Sequence, residues 1–255
     1  MIQVSVIMPA YNAERYIEEA IDSVLKQTFS DFELIIVNDC SNDNTRKVID
    51  KAIKEDPRCF VIDLKENKGK AHALNIGIQQ ARGALICILD TDDIFFSDKL
   101  EQQVKFMNEH PEVDMLYGGA KYFSDSEEEL EQREVLDSSE DLYANLKKAG
   151  EKTLEELNSQ HHGILNKGDA TITSCSVMIR RKIFAVCKFD ENLRNIEDYD
   201  MWYQIIGKGF KIHGIKKPFY YYRVHKNQKS ANPEKRQLAK NIIFNKIISG
   251  EYFKD

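Results

Sequence analysis

Apolar residues follow two alternating rhythms along the first half of this chain. Runs dominated by apolar side chains stand at 4–8, 34–37, 60–64, 85–89 and 113–117. Each has the length of a strand. Between them, Ile17, Ala20, Ile21, Val24 and Leu25 recur at i, i+3, i+4, i+7 and i+8, the one-faced spacing of a helix. Val48, Ile49, Ala52 and Ile53 mark a second helix, with Ser41 or Asn42 as its N-cap. Ala71, Leu74, Asn75 and Ile78 line a third, with Gly83 as its C′ residue. Leu100, Val104 and Met107 line a fourth, capped by Ser97. The first strand is expected to stop at Pro9.

Strands apolar on both faces, separated by amphipathic helices, predict an α/β fold with a mostly parallel central sheet flanked by helices. Ligands of such sheets bind beyond the carboxyl ends of the strands. The polar residues at 9–12, 38–43, 65–70 and 90–93 are therefore expected to carry function. The second half is less regular. A strand is expected at 171–179, and Met201, Trp202, Ile205 and Ile206 give another helix face. Two further strands are expected at 210–215 and 219–224, then a helix from about 233 to 248. Residues 124–141 hold nine acids against the single base Arg133. This reads as a solvated, partly disordered excursion.

Composition narrows the function classes. At 255 residues, 42% apolar and 31% charged, the chain suits one soluble α/β domain. Its net charge of −6 argues against a nucleic-acid partner. No run approaches the roughly 20 apolar residues of a transmembrane helix. The start lacks the basic region and cleavage site of a signal peptide. Five scattered cysteines without a CxxC pair suggest a reduced, cytoplasmic protein and small buried thiols. Residues 226–255 carry seven bases and three acids. They form a basic C-terminal helical tail whose charge suits peripheral contact with the inner face of a membrane. Oligomeric state is not readable from the sequence.

Four clusters carry candidate chemistry. Asp90-Thr91-Asp92-Asp93 places three carboxylates within four residues at a strand end. Crowded carboxylates raise one another's pKa, and Mg²⁺ or Mn²⁺ with oxygen ligands removes the conflict. A solvated loop with one capping Asp is the alternative. Asn38-Asp39-Cys40-Ser41-Asn42-Asp43 offers a carboxylate to a base or ribose, or else an Asx turn and helix cap. Glu66-Asn67-Lys68-Gly69-Lys70 combines ammonium groups with a helix N-terminus, a setting for phosphate or else an exposed loop. Glu197-Asp198-Tyr199-Asp200 opens a helix, where acids suit the dipole but can also supply a general base. Arg223 and His225 fall on one side of a strand, as a second phosphate or metal contact or as a surface pair. Neither a GxGxxG nor a P-loop is present.

In these residues the chain resembles glycosyltransferase family 2, the inverting enzymes of GT-A fold, over roughly residues 2–226. Ser5-Val6-Ile7-Met8-Pro9-Ala10-Tyr11-Asn12 is similar to the family's opening strand and donor loop. Residues 38–43 resemble its Asp-Asp-Gly-Ser-x-Asp segment, 67–77 its Gly-Lys-x-x-Ala-Leu-Asn helix and 90–93 its DxD motif. Phe189-Asp190-Glu191 followed by 197–202 resembles its Glu-Asp motif. The resemblance implies a GT-A domain at 1–225, with a Rossmann-like nucleotide-sugar-binding half (1–120) and an acceptor-binding half (121–225). Pro9, Tyr11, Asp39, Lys70, Asp90 and Asp92 would bind the nucleotide. Asp39 would take the uracil N3–H of a UDP-linked donor, and Lys70 would lie near the pyrophosphate. Asp92 or Asp93 would bind Mg²⁺ or Mn²⁺. Asp198 would be the general base, with Glu197, Arg223 and His225 as candidate phosphate or acceptor contacts. The partners implied are a nucleotide-sugar donor and a saccharide, lipid-linked or protein acceptor, in cell-surface polysaccharide or glycoconjugate synthesis.

Two positions depart from the pattern. Asn38 replaces the usual first Asp and can still accept a hydrogen bond. Cys40 replaces the usual Gly, which requires a backbone that a non-glycine residue tolerates. The QxxRW motif of processive synthases is absent, so one sugar per visit is expected. Segment 124–162 is expected to shape acceptor choice. A sugar-nucleotide pyrophosphorylase would need a glycine-rich, arginine-containing loop where Pro9-Ala10-Tyr11-Asn12 stands. Asp39, Asp92 and Asp198 together argue against a non-catalytic relative, which would bind a nucleotide sugar without consuming it.

Overall fold

A nine-stranded sheet in the order β3-β2-β1-β4-β8-β6-β9-β5 organises the protein, with β7 beside β6. The computed structural model describes residues 2–124, 134–135, 172–225, 228 and 233–253. The strands are β1 (Val4–Ala10), β2 (Phe32–Asn38), β3 (Cys59–Asp63), β4 (Leu85–Ile88), β5 (Ile94–Phe95), β6 (Met115–Phe123), β7 (Glu134–Val135), β8 (Met178–Arg180) and β9 (Ile212–Arg223). The helices are α1 (Ile17–Leu25), α2 (Thr45–Ile53), α3 (Lys70–Gln80), α4 (Lys99–Glu109), α5 (Glu197–Gly207) and α6 (Pro233–Ile248). Strands β1 to β4 are mutually parallel, and β6 runs parallel to β9. β8 is antiparallel to both β4 and β6 and joins the two halves.

The two-faced strands bury two cores. Ile7, Ile35, Val37, Ile86 and Ile88 face α3 and α5. Val6, Met8, Leu34, Ile36 and Cys87 face α1 and α4. Alternation along one strand thus feeds both layers, which is why apolar side chains dominate these runs.

Several boundaries differ from expectation. β1 runs through Pro9, which pairs with Val37; β4 pairing has already ended at Ile7–Ile88, so only one neighbour is present there. α2 starts at Thr45, whose N–H donates to Asp43 Oδ1, while the Ser41 hydroxyl accepts from Asn12 N–H. Ala81 follows α3, and Gly83 N–H donates instead to Ser5 Oγ. Asp98, not Ser97, precedes α4. The expected strand at 171–179 is a 3₁₀ turn, Ser174–Ser176, followed by the short β8. Ser176 closes that turn with both its N–H and its hydroxyl on Thr173 O. The two strands expected at 210–215 and 219–224 are the single β9, whose register shifts where Pro218 meets Gly119. β5 is too short to show as a pattern. β6 extends beyond 117 to Phe123. Of the acidic segment, only Ser124 and β7 fall within the described residues.

The basic C-terminal stretch docks on the fold. Ala239, Ile243, Ile247 and Tyr252 are buried in the core that α3 and α5 share. Lys246 turns inward onto Asp190 and Asp200. No helix among the described residues is long and apolar enough to cross a membrane.

Candidate active site

The loops after β1, β2 and β3 are knitted around Asp39. Its N–H donates to Ala10 O at 2.8 Å, and its buried carboxylate accepts from the N–H groups of Lys68 (2.9 Å) and Gly69 (2.8 Å). Gly69 has φ +94, a conformation that L side chains rarely adopt, and it opens α3. Asn12 and the 41–42 loop exchange two more bonds. Tyr11 stands exposed at this edge.

Both departures acquire a physical meaning here. Asn38 accepts from Ser41 N–H and donates through Nδ2 to Asp63 Oδ1 at 2.8 Å. An aspartate could not make that donation. Cys40 has φ +59. This is the small left-handed region, which a non-glycine residue tolerates at a cost of about 1–2 kcal/mol and glycine adopts freely.

Lys70, at the first turn of α3, reaches Asp90 Oδ2 at 2.7 Å and Glu197 Oε1 at 3.5 Å. Burial alone would lower its pKa, but Asp90, Glu197 and Asp198 hold it well above the usual lysine range. It joins the strand-end acids to the α5 acids. The residues at 90–93 form a turn closed by Asp93 N–H on Asp90 O. Asp93 is 3% exposed and accepts from Arg223 N–H at 3.0 Å. Burial, then Asp92 and Asp90, push its pKa well above the carboxylate range. The Asp92 side chain, 29% exposed, has His225 Nε2 at 3.1 Å from its Oδ2.

Asp198 is the second residue of α5, which follows Ile196, a β-branched residue at φ +51. Such a residue in the left-handed region costs about 1–2 kcal/mol and is found where surrounding structure dictates the chain path. The Asp198 carboxyl accepts from Tyr199 N–H at 2.9 Å and lies 3.4 Å from Ser174 Oγ. Burial and the neighbouring Glu197 charge push its pKa up to about 7, against the opposing pull of Lys70.

Pro9, Tyr11, Asp39, Lys70, Asp90, Asp92, Asp93, Glu197, Asp198 and His225 line one cleft of ≈ 690 Å³ at the sheet's carboxyl edge. Arg223 does not line it. Its buried guanidinium donates to Asp92 O at 3.0 Å, bonds Glu19 and lies between the rings of Tyr16 and Phe123. It braces the acidic turn from behind. Sequence reasoning missed Ser174 and passed over Cys175 as a plain buried thiol. Buried it is, but its sulfur accepts from Asp90 N–H at 3.2 Å. No spacing signal marks either residue, because the 3₁₀ turn that delivers them is set by the sheet.

The acidic turn fits a hard divalent cation. Ligand atoms of Asp90, Asp93 and Cys175 lie within 4.8 Å of one another. The Cys175 thiol is held protonated by burial and by Asp90 and Asp93, leaving carboxylate oxygens as the donors.

The sheet edge that gathers the loops after β1, β2 and β3, the acidic turn and a helix-borne carboxylate belongs to a GT-A fold. The solved structures agree. S. aureus TarS residues 1–349 in complex with UDP superposes with a TM-score of 0.68 at 23% identity, over 98% of this chain and 70% of that one. The mannosyltransferase PcManGT from Pyrobaculum calidifontis, in complex with GDP-Man and Mn²⁺, gives 0.68 at 20% identity, over 98% and 69%. The putative teichuronic acid biosynthesis glycosyltransferase TuaG of Bacillus subtilis is 31% identical over 96% of this chain and 88% of its own length. The glycosyl transferase family 2 model matches residues 5–186. The chain belongs to glycosyl transferase family 2.

Proposed function

We propose that the protein transfers one sugar from a nucleoside-diphosphate sugar, UDP-linked as first choice, to an acceptor hydroxyl with inversion, in the synthesis of a cell-surface polysaccharide or glycoconjugate. The observation that carries this is the convergence of Asp39, Lys70, the 90–93 turn and Asp198 on one cleft. The likeness to TuaG supports the surface-polymer setting. The UDP and GDP-Man bound to TarS and PcManGT support a nucleotide-sugar donor.

Tyr11 and Asp39 take the nucleotide base. Two backbone N–H groups already occupy Asp39, and a carboxylate has lone pairs left for a uracil N3–H. Lys70 lies at the diphosphate end of the cleft. Asp92 or Asp93, the latter with Asp90 close by, would hold Mg²⁺ or Mn²⁺, which when bound neutralises charge on the departing diphosphate. Asp198 removes the acceptor proton. A carboxyl with a pKa near 7 is both a stronger base than an ordinary aspartate and largely ionised just above neutrality. The acceptor oxygen then bonds to the anomeric carbon from the face opposite the diphosphate. The old C–O bond breaks with its electron pair leaving on the diphosphate, which inverts the centre.

Calorimetry and thermal shift against UDP, GDP, dTDP and CMP, each with and without Mn²⁺, test the donor site. Metal-dependent binding of one nucleoside diphosphate is the expected result. A folded sample that binds none of them would overturn the reading.

A further inference from the structure

The helix that bears Asp198 is gripped from its far side by the C-terminal segment. Asp200, 0% exposed, accepts on Oδ1 from Lys246 Nζ at 2.8 Å and from the Tyr252 hydroxyl at 2.6 Å. Its Oδ2 accepts from Gln204 Nε2 at 2.7 Å. Tyr252 stacks on Tyr203 with centroids 5.4 Å apart. The backbones meet at Gly207, where a Cβ would lie 2.1 Å from Tyr252 O.

The grip extends to the donor side. Lys246 Nζ also reaches Asp190 Oδ2 at 2.6 Å. Asp190 lies in a loop clasped to α3. Asn75 exchanges bonds of 2.9 and 3.1 Å with the Phe189 backbone and donates to Glu191 Oε1 at 2.9 Å. His72 Nδ1 lies 2.8 Å from Glu191 Oε2. One ammonium therefore ties the first turn of α5, which carries Asp198, to the loop held by α3, which carries Lys70. Asp190, Asp200, Lys246 and Tyr252 are all outside the cleft lining.

A buried carboxylate stripped of its cation is strongly unfavourable. Without Lys246, Asp200 regains solvation only if the first turn of α5 shifts toward water, and Glu197 and Asp198 shift with it. We propose that Lys246 is a positioning residue for the transfer step: with Tyr252 it fixes the first turn of α5 so that Asp198 meets the acceptor hydroxyl. This rests on Asp198 being the general base. The C-terminal segment then belongs to the transfer machinery rather than forming an appendage.

The test uses the full chain carrying Lys246→Met, Lys246→Arg or Tyr252→Phe, with folding followed by circular dichroism. The affinity for UDP with Mn²⁺, or for whichever nucleoside diphosphate the binding panel selects, is measured beside kcat. Lys246→Met is expected to keep the nucleotide affinity and lose about 100-fold in kcat, the scale of an ångström-sized misplacement of a reacting group. Lys246→Arg should recover most of the loss, and adding Lys246→Met to Asp198→Asn should cost nothing more. Unchanged kcat, nucleotide affinity falling in step with kcat, or full additivity with Asp198→Asn would each overturn the proposal. If Lys246→Met does not fold, Tyr252→Phe, which keeps the ring and removes one bond to Asp200, is judged by the same criteria. An active Asp198→Asn enzyme would sink the assignment of the base, and Lys246 is then decided by kcat against nucleotide affinity alone.

Discussion

Replacing Asp198 by Asn should sharply slow transfer and stabilise the fold at the same time. The two effects have one cause. The native carboxyl is raised from 3.8 to about 7 by burial and by Glu197. Between those values the folded protein holds a proton that the unfolded chain releases, so this group's contribution to stability falls as pH rises from 4 through 7. Three pKa units correspond to about 4 kcal/mol. The carboxyl is partly open to the cleft, so screening reduces the expected penalty to about 1–3 kcal/mol. Asparagine keeps the shape and carries no charge. In EDTA-treated protein at pH 8, thermal unfolding of Asp198→Asn should therefore rise by about 3–8 °C over the parent. At pH 4 the gain should vanish. Loss of a general base should lower kcat by about 10²–10⁴-fold while nucleotide binding persists. Release of nucleoside diphosphate from a sugar-nucleotide panel measures the first effect, and scanning fluorimetry the second. Normal turnover removes Asp198 as the base. A variant no more stable at pH 8 than its parent refutes the electrostatic account even if activity is lost.

Other consequences follow from neighbouring contacts. Lys70→Met deletes the cation that opposes the rise at Asp198, so the acid limb of the kcat/KM profile should move to higher pH; an unmoved limb would mean that Lys70 does not face the base. Asp92→Asn should weaken Mn²⁺ binding by about tenfold or more in calorimetry, whereas equal affinity would place the cation elsewhere on the turn. Asn38→Asp, although it restores the family's residue, loses the donation to Asp63 and sets two carboxylates together; unfolding at pH 7 should show a loss of about 1–3 kcal/mol that shrinks under acid. Cys40→Gly relieves a left-handed residue and should gain about 0.5 kcal/mol in denaturant unfolding, after glycine's own entropy cost is subtracted. A net loss there would mean that the Cys40 side chain contributes more than its conformation costs.

The periodicity of the chain by itself determined the layered core and the edge where the cleft lies. A strand such as β1, apolar on both faces, has no stable place except between two helical layers, and its first polar residues must emerge at the carboxyl edge. Asp39, Lys70, Asp90, Asp92 and Asp198 were legible for that reason: each sits at a strand end or a helix start, where local pattern and global position coincide. Tertiary structure decided what no local pattern encodes. Arg223 reads on spacing as a phosphate or metal contact or as half of a surface pair, yet it is turned behind the acidic turn because Tyr16, Phe123 and Glu19, distant in sequence, form its pocket. Ser174 and Cys175 reach the site because β8 must pair with both β4 and β6, which turns the preceding residues into a 3₁₀ step under Asp90. The basic tail carries the charge of a surface helix, but Lys246 finds two carboxylates inside the fold and Gly207 leaves room for Tyr252 to follow. Such choices depend on which charges and surfaces meet across long sequence separations, and only the folded chain brings them together.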